Sequence, residues 1–228
     1  MKIHKVNYKN CFLFAVMVIF VCLLKMIYIS NSMYETSIEF VHDIVVYWGN
    51  NQLVNFIWFI PIITNLFFVS KTYYSKAINF STRYKNRCNF ISYTIKESLL
   101  YSFVYNFLSV LMQTFVLTVL LKANIHFSFA MLELFISYSI ECTFLNFVVL
   151  FFAIYSKHYM YSFLAVIILC IMVLTVLGNN MYIPFVCLYS SYKINYITVV
   201  SLLGLIILIQ KKYLTEDLIG GYENDFRN

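Results

Sequence analysis

The 228 residues are 62% hydrophobic and only 11% charged, with a mean hydropathy of +0.79. Soluble domains run at roughly half apolar and a quarter charged, so this balance excludes an ordinary soluble enzyme or binding domain. The net charge of +6 is not a nucleic-acid signature here, because the basic residues gather between apolar blocks, as they do in cytoplasmic loops of membrane proteins.

Blocks long enough to cross a bilayer, which takes about 20 residues of helix, occur six times. The first covers residues 11–29. Lys2, Lys5 and Lys9 precede it as they would a signal peptide. The apolar run is too long for a signal core, however, and no small-x-small site follows, so it reads as a retained helix. Lys25 stands near its far end and is read as snorkelling to the interface. Residues 30–52 carry Phe40, Ile44, Tyr47 and Trp48 at helical spacing, which predicts a short helix lying on the outer surface. The second span is 53–70, kinked at Pro61. The others are 98–121, 130–155, 160–177 and 194–210. Together they make residues 1–228 a single all-α transmembrane domain.

Lys and Arg placement orients these spans. The N-terminus, the second-to-third and fourth-to-fifth connectors and the tail hold thirteen basic residues, while the remaining connectors hold only Lys122 and Lys193. Both termini are therefore expected in the cytoplasm, which also requires an even number of spans.

Catalytic patterns are absent from the sequence. There is no phosphate-binding GxxxxGK[ST], no HExxH and no GxSxG. His4, His42, His126 and His158 are scattered, and the six cysteines show no metal spacing. Neither a catalytic residue nor a metal site is expected.

Three features can carry function. In the second-to-third connector, Tyr73, Ala77, Phe80, Tyr84, Cys88, Ile91 and Ile95 follow one another at intervals of 4, 3, 4, 4, 3 and 4. They form one narrow helical stripe with Lys76, Arg83 and Arg87 on one flank. It is either an interfacial helix anchored on anionic headgroups or a helical connector that docks a cytoplasmic partner, and the two are compatible. Between the fifth and sixth spans, residues 181–189 (MYIPFVCLY) are apolar, interrupted by Pro184 and too short to cross. They form a re-entrant or surface element, or an early start of the sixth span. Finally, Asn65, Asn106, Gln113, Glu141 and Asn146 lie within spans, with Glu133 nearer an outer end. Glu141 falls near mid-membrane, where a carboxylate faces protein or a cavity. It serves either interhelical hydrogen bonding or a translocation path.

Six spans with both ends inside, the amphipathic segment 67–102 (FFVSKTYYSKAINFSTRYKNRCNFISYTIKESLLYS), the MYIPFVCLY element and Trp58-Phe59-Ile60-Pro61 together resemble the small permease subunits of type-2 ABC exporters. The resemblance covers nearly the whole chain as topology, without an invariant string. It implies a bacterial plasma-membrane protein paired with a second permease subunit, as homodimer or heterodimer. It further implies a separate ATP-binding subunit docked on Tyr73, Ala77, Phe80, Arg83, Tyr84 and Arg87. ATP then enters only through that partner. The substrate class implied is an antimicrobial peptide or other amphipathic toxin, exported or guarded against. Two other classes stay open: a membrane protein that acts only by binding, such as an immunity or assembly factor, and a secondary transporter with Glu141 carrying a proton.

Overall fold

The structure is a computed structural model. It describes residues 8–29, 35–46, 58, 60, 62–63, 66, 87–122, 125–156, 158–177 and 193–215. The described residues form α1 (Tyr8–Ile29), α2 (Ser37–Val46), α3 (Arg87–Leu121), α4 (Phe129–Ser156), α5 (Tyr159–Leu177) and α6 (Tyr196–Thr215). Trp58, Ile60, Ile62, Ile63 and Leu66 are also helical, and there is no strand among the described residues.

Local chemistry sets several helix ends. Thr36 and Glu39 form a reciprocal capping box at the start of α2: the Thr36 amide donates to Glu39 Oε2 at 3.0 Å, and the Glu39 amide to Thr36 Oγ1 at 3.2 Å. Ser128 caps α4 by accepting from the Met131 amide at 3.4 Å, and Asn195 caps α6 by accepting from the Ile197 amide at 3.0 Å. Lys122, at φ 51°, turns the chain out of α3 in the left-handed conformation common just past a helix end. Only residues 157–158 separate α4 from α5. There Ser156 Oγ and Ser162 Oγ both donate to the His158 carbonyl, at 3.1 and 3.0 Å. This short connection makes the two helices antiparallel neighbours.

α4 is the centre of the bundle and packs on α2, α3, α5 and α6, while α3 also meets α1, α2 and α6. Phe135 and Tyr138 of α4 lie in the main core with Cys22, Ile44, Trp58, Leu117 and Phe163. A second cluster joins Ile95 of α3 with Phe147, Leu150 and Ile154 of α4 and Ile209 of α6. It brings the start of α3 beside the ends of α4 and α6. At the opposite end Ser137 Oγ, near the start of α4, donates to the Lys193 carbonyl just before α6 at 3.2 Å. The Tyr159 hydroxyl, at the start of α5, donates to the Leu66 carbonyl at 3.2 Å.

Among the described residues two helices are long and apolar enough to cross a membrane: α3 over Ser98–Leu120 and α4 along its whole length; Tyr159–Val173 of α5 is a shorter apolar helix. α3 begins well before the apolar block 98–121, because the stripe residues Cys88, Ile91 and Ile95 continue into it without a Gly or Pro. At 1.5 Å per residue α3 is about 52 Å long, against a hydrocarbon core of about 30 Å.

α2 packs on the bundle through Phe40, Val41, Ile44, Val45 and Val46, all core residues, with His42 and Asp43 half-buried, while Tyr47 and Trp48 lie outside the described residues. One expectation needs correction. Lys25 does not snorkel, being 0% exposed. It shares its helix face with Cys22 and Ile29, which are buried, while Val16, Phe20, Leu23 and Ile27 form the exposed face.

Candidate functional site

The polar residues of the bundle are ordered by helical period. On α3, Ser98, Ser102, Asn106, Ser109 and Gln113 follow at intervals of 4, 4, 3 and 4, and all five are buried. On the opposite face Leu100, Val104, Leu108, Met112, Phe115 and Val119 are exposed, Leu100 at 69% and Phe115 at 68%. α3 is thus amphipathic with its polar stripe inward. α1, α5 and α6 also turn large apolar side chains outward, among them Phe20, Leu164, Ile168, Met172, Val200 and Ile207.

The inward polar groups meet across helix pairs in three places. In the first, α3 and α4 are joined: Asn146 Nδ2 donates to Ser102 Oγ at 2.7 Å, and Asn106 Nδ2 approaches the same oxygen at 3.5 Å. Beside Asn146 along α4, Ser139 and Thr143 satisfy their hydroxyls on the carbonyls of Phe135 and Ser139, at 2.7 and 2.6 Å.

In the second, α4 and α6 are joined. Thr198 Oγ1 donates to Glu141 Oε1 at 2.6 Å, with Thr198 0% and Glu141 1% exposed. Glu141 and Asn146 are five residues apart on α4, about 140° around the helix, so one faces α6 and the other α3.

In the third, α1, α2 and α3 are joined with Trp58. Lys25 Nζ donates to the Ile44 carbonyl at 2.6 Å and to Gln113 Oε1 at 2.9 Å, and lies 5.2 Å from the Trp58 ring centroid. Gln113 Nε2 in turn donates to Ser109 Oγ at 3.3 Å, and Trp58 Nε1 to the Asp43 carbonyl at 2.7 Å. Such charge-assisted bonds to a buried ammonium are stronger than neutral ones.

Of the span residues singled out in the sequence, Asn106 and Asn146 come together through Ser102. Gln113 belongs to the Lys25 junction, seven residues from Asn106, or about 10 Å along α3. Glu141 stands apart at α6. Asn65, Pro61 and Pro184 lie outside the described residues, as do Tyr73, Ala77, Phe80, Arg83 and Tyr84; Arg87 opens α3. The sequence singled out none of Ser98, Ser102, Ser109 and Thr198, and it assigned Lys25 to the interface instead of the interior. For the three serines the signal was available, because their spacing with Asn106 and Gln113 is that of one helix face. Thr198 offers none, since Thr198 and Ser201 are isolated in the otherwise apolar stretch 197–209 and form no stripe.

The described residues hold no group of three His, Cys, Asp or Glu placed to bind a metal ion. What the arrangement offers is a seam of hydroxyls and amides, flanked by one buried carboxylate and one buried ammonium, running along α3 inside an apolar exterior. No family model, curated protein or solved structure matches this chain.

Proposed function

We propose that this chain is the membrane-spanning permease subunit of an ATP-driven exporter. It would cross a bacterial plasma membrane six times with both termini in the cytoplasm, paired with a second permease subunit and a separate ATP-binding subunit. The observation that carries the reading is the inverted polarity of α3, with five polar residues buried and six apolar ones exposed. Soluble monomers rarely expose contiguous apolar patches above a few hundred Å². In lipid the same surface is at no disadvantage, and polar groups instead need partners inside the bundle.

Three contacts support the alternating topology. The meeting of Ile95, Ile154 and Ile209 puts the start of α3 level with the ends of α4 and α6. The bond from Ser137 to the Lys193 carbonyl puts the starts of α4 and α6 at the other end. Lys25, near the end of α1, meets Gln113 in the later part of α3, so these two helices run in parallel. Each follows if the helices cross in turn with Arg87 and Lys212 on the cytoplasmic side.

The length of α3 favours a coupled permease over a passive binding protein. Its first eleven residues add about 16 Å beyond Ser98. A helix continuous from Arg87 to Leu121 can carry a push from a cytoplasmic ATPase directly into the polar seam. The resemblance to type-2 exporters supplies the partner and the cargo class, an amphipathic peptide or toxin. The test is to purify the tagged chain from its native cells and assay the preparation for a bound ATP-binding subunit and ATP hydrolysis. Phe80→Asp and Tyr84→Asp should insert normally and lose that subunit, because a buried unpaired carboxylate costs several kcal/mol. Variants that insert, retain the ATPase and hydrolyse ATP at the wild-type rate overturn the docking assignment. A pure chain with no ATPase, whose deletion leaves toxin resistance unchanged, overturns the exporter.

A further inference from the structure

Burial increases along α2. Glu35 and Thr36 are exposed, Ser37, Ile38 and Glu39 half-buried, Phe40 and Val41 buried, His42 and Asp43 half-buried at 16% and 34% exposure, and Ile44, Val45 and Val46 buried. Three consecutive residues cover about 200° of a helix at 100° each, so the last turn is enclosed over more than half of its circumference, with Asp43 on the open side. A helix lying flat on a surface buries one stripe along its whole length instead.

The end of α2 is deep. Its Ile44 carbonyl shares the Lys25 ammonium with Gln113. Gln113 lies fifteen residues from Ser98 and eight from Leu121, about 22 and 12 Å along α3, hence about 5 Å outward of mid-bilayer. Beside it, Trp58 Nε1 donates to the Asp43 carbonyl at 2.7 Å.

The last four carbonyls of a helix have no partner within it. In lipid that deficit must be met by protein. Here Trp58 Nε1 takes the Asp43 carbonyl and Lys25 Nζ the Ile44 carbonyl. The cation also stands at the negative end of the α2 dipole. Together these contacts give the buried Lys25 Nζ two acceptors and the face of Trp58.

We propose that α2 is a re-entrant plug, inserted from the outer face, that closes the outer end of the α3 polar seam. Lys25 is the positioning residue that latches it. α2 packs on both α3 and α4, so its withdrawal uncovers Ser109, Gln113 and Lys25 to the outer aqueous side. The proposal rests on the membrane reading above, and the experiment separates the two.

In intact cells, single cysteines are introduced into a cysteine-free background and labelled with a membrane-impermeant maleimide. Ser37→Cys should label rapidly, with Ile44→Cys and Ser109→Cys at least about a hundredfold slower. Adding Lys25→Met should speed labelling at 44 and 109 about tenfold to a hundredfold, the range expected when charge-assisted bonds holding a closed state are lost. Trp58→Phe keeps the ring and loses one donor, so it should act in the same direction but less strongly. It also serves as the test if Lys25→Met does not reach the membrane. Phe115→Cys faces lipid and should stay unlabelled throughout. Labelling at 44 as fast as at 37 in the Lys25 background overturns the plug. Unchanged labelling at 44 and 109 in both latch variants overturns the role of Lys25. Rapid labelling at 115 overturns the membrane reading itself.

Discussion

Thr198→Val isolates the bond between α4 and α6. Valine matches threonine in shape, so no cavity opens and only the donor to Glu141 Oε1, at 2.6 Å, is lost. Both residues are fully buried, so water cannot replace the hydroxyl. A hydrogen bond to a charged group contributes about 1.5–3 kcal/mol in soluble proteins. Within membranes the measured coupling averages about 0.6 and reaches about 1.7 kcal/mol, because the unfolded chain in lipid also finds partners. We therefore expect a coupling between Thr198 and Glu141 of about 0.6–1.7 kcal/mol, roughly a three- to twentyfold change in the unfolding equilibrium. The assay is a double-mutant cycle of wild type, Thr198→Val, Glu141→Leu and the double variant, unfolded by titrating a denaturing detergent into mild micelles. Glu141→Leu alone is ambiguous. Glu141 makes further interactions, and replacing a buried polar group by an apolar one can stabilise. The cycle removes that ambiguity, and a coupling under about 0.3 kcal/mol refutes the claim that this bond joins the helices.

Glu141→Gln keeps a hydrogen-bonding side chain of the same shape, so it should preserve assembly and transport if the contact is structural; normal assembly with abolished transport assigns the charge to the translocation path. Leu108→Arg, on the exposed face of α3, should impair membrane insertion by about 2.5–3.5 kcal/mol, read as the inserted fraction of a glycosylation-tagged chain; full insertion and unchanged stability contradict a lipid-facing stripe. Cysteines at Arg87 and Lys212 should resist an impermeant thiol reagent added to intact cells while those at Lys122 and Lys193 react, and labelling of position 87 from outside reverses the map.

Hydropathy located the helices better than it located their partners. α4 runs one residue beyond its apolar block, 130–155, at each end, and α5 begins one residue before 160–177. α3 begins eleven residues before the block 98–121, because hydropathy measures the length matched to lipid whereas the helix continues through Lys96 and Glu97. The cost of a buried carboxylate is enough to turn Glu141 towards protein, but nothing in an apolar helix distinguishes Thr198 as the residue that meets it. Lys25 shows the reverse difficulty. A lysine four residues from a helix end has snorkelling available, and only the approach of α2 and Gln113, 19 and 88 residues away in sequence, makes burial the better choice. α2 was visible as an amphipathic segment in Phe40 and Ile44. Its depth was not, because the groups that satisfy its last carbonyls come from Lys25 and Trp58.

For the permease proposed above, the placement of these bonds bears on how it would move. α3 contains neither Gly nor Pro, the usual causes of a kink, so displacement at Arg87 reaches Gln113, about 39 Å away, with little loss. Along that rod the Ser102 contact to Asn146 and the Gln113 contact to Lys25 are polar bonds between helices. Bonds of this kind in membranes have small net strength and can be exchanged for new partners as helices slide. The apolar packing around Phe135 and Tyr138 is different, since a close-packed core responds to displacement by losing many contacts at once. A stroke on α3 should therefore shear the seam before it disturbs the core of α4. In this reading the polar residues on α3 are joints between rigid bodies, and Lys25, bonded to both α2 and α3, is the joint through which a cytoplasmic stroke reaches the outer face.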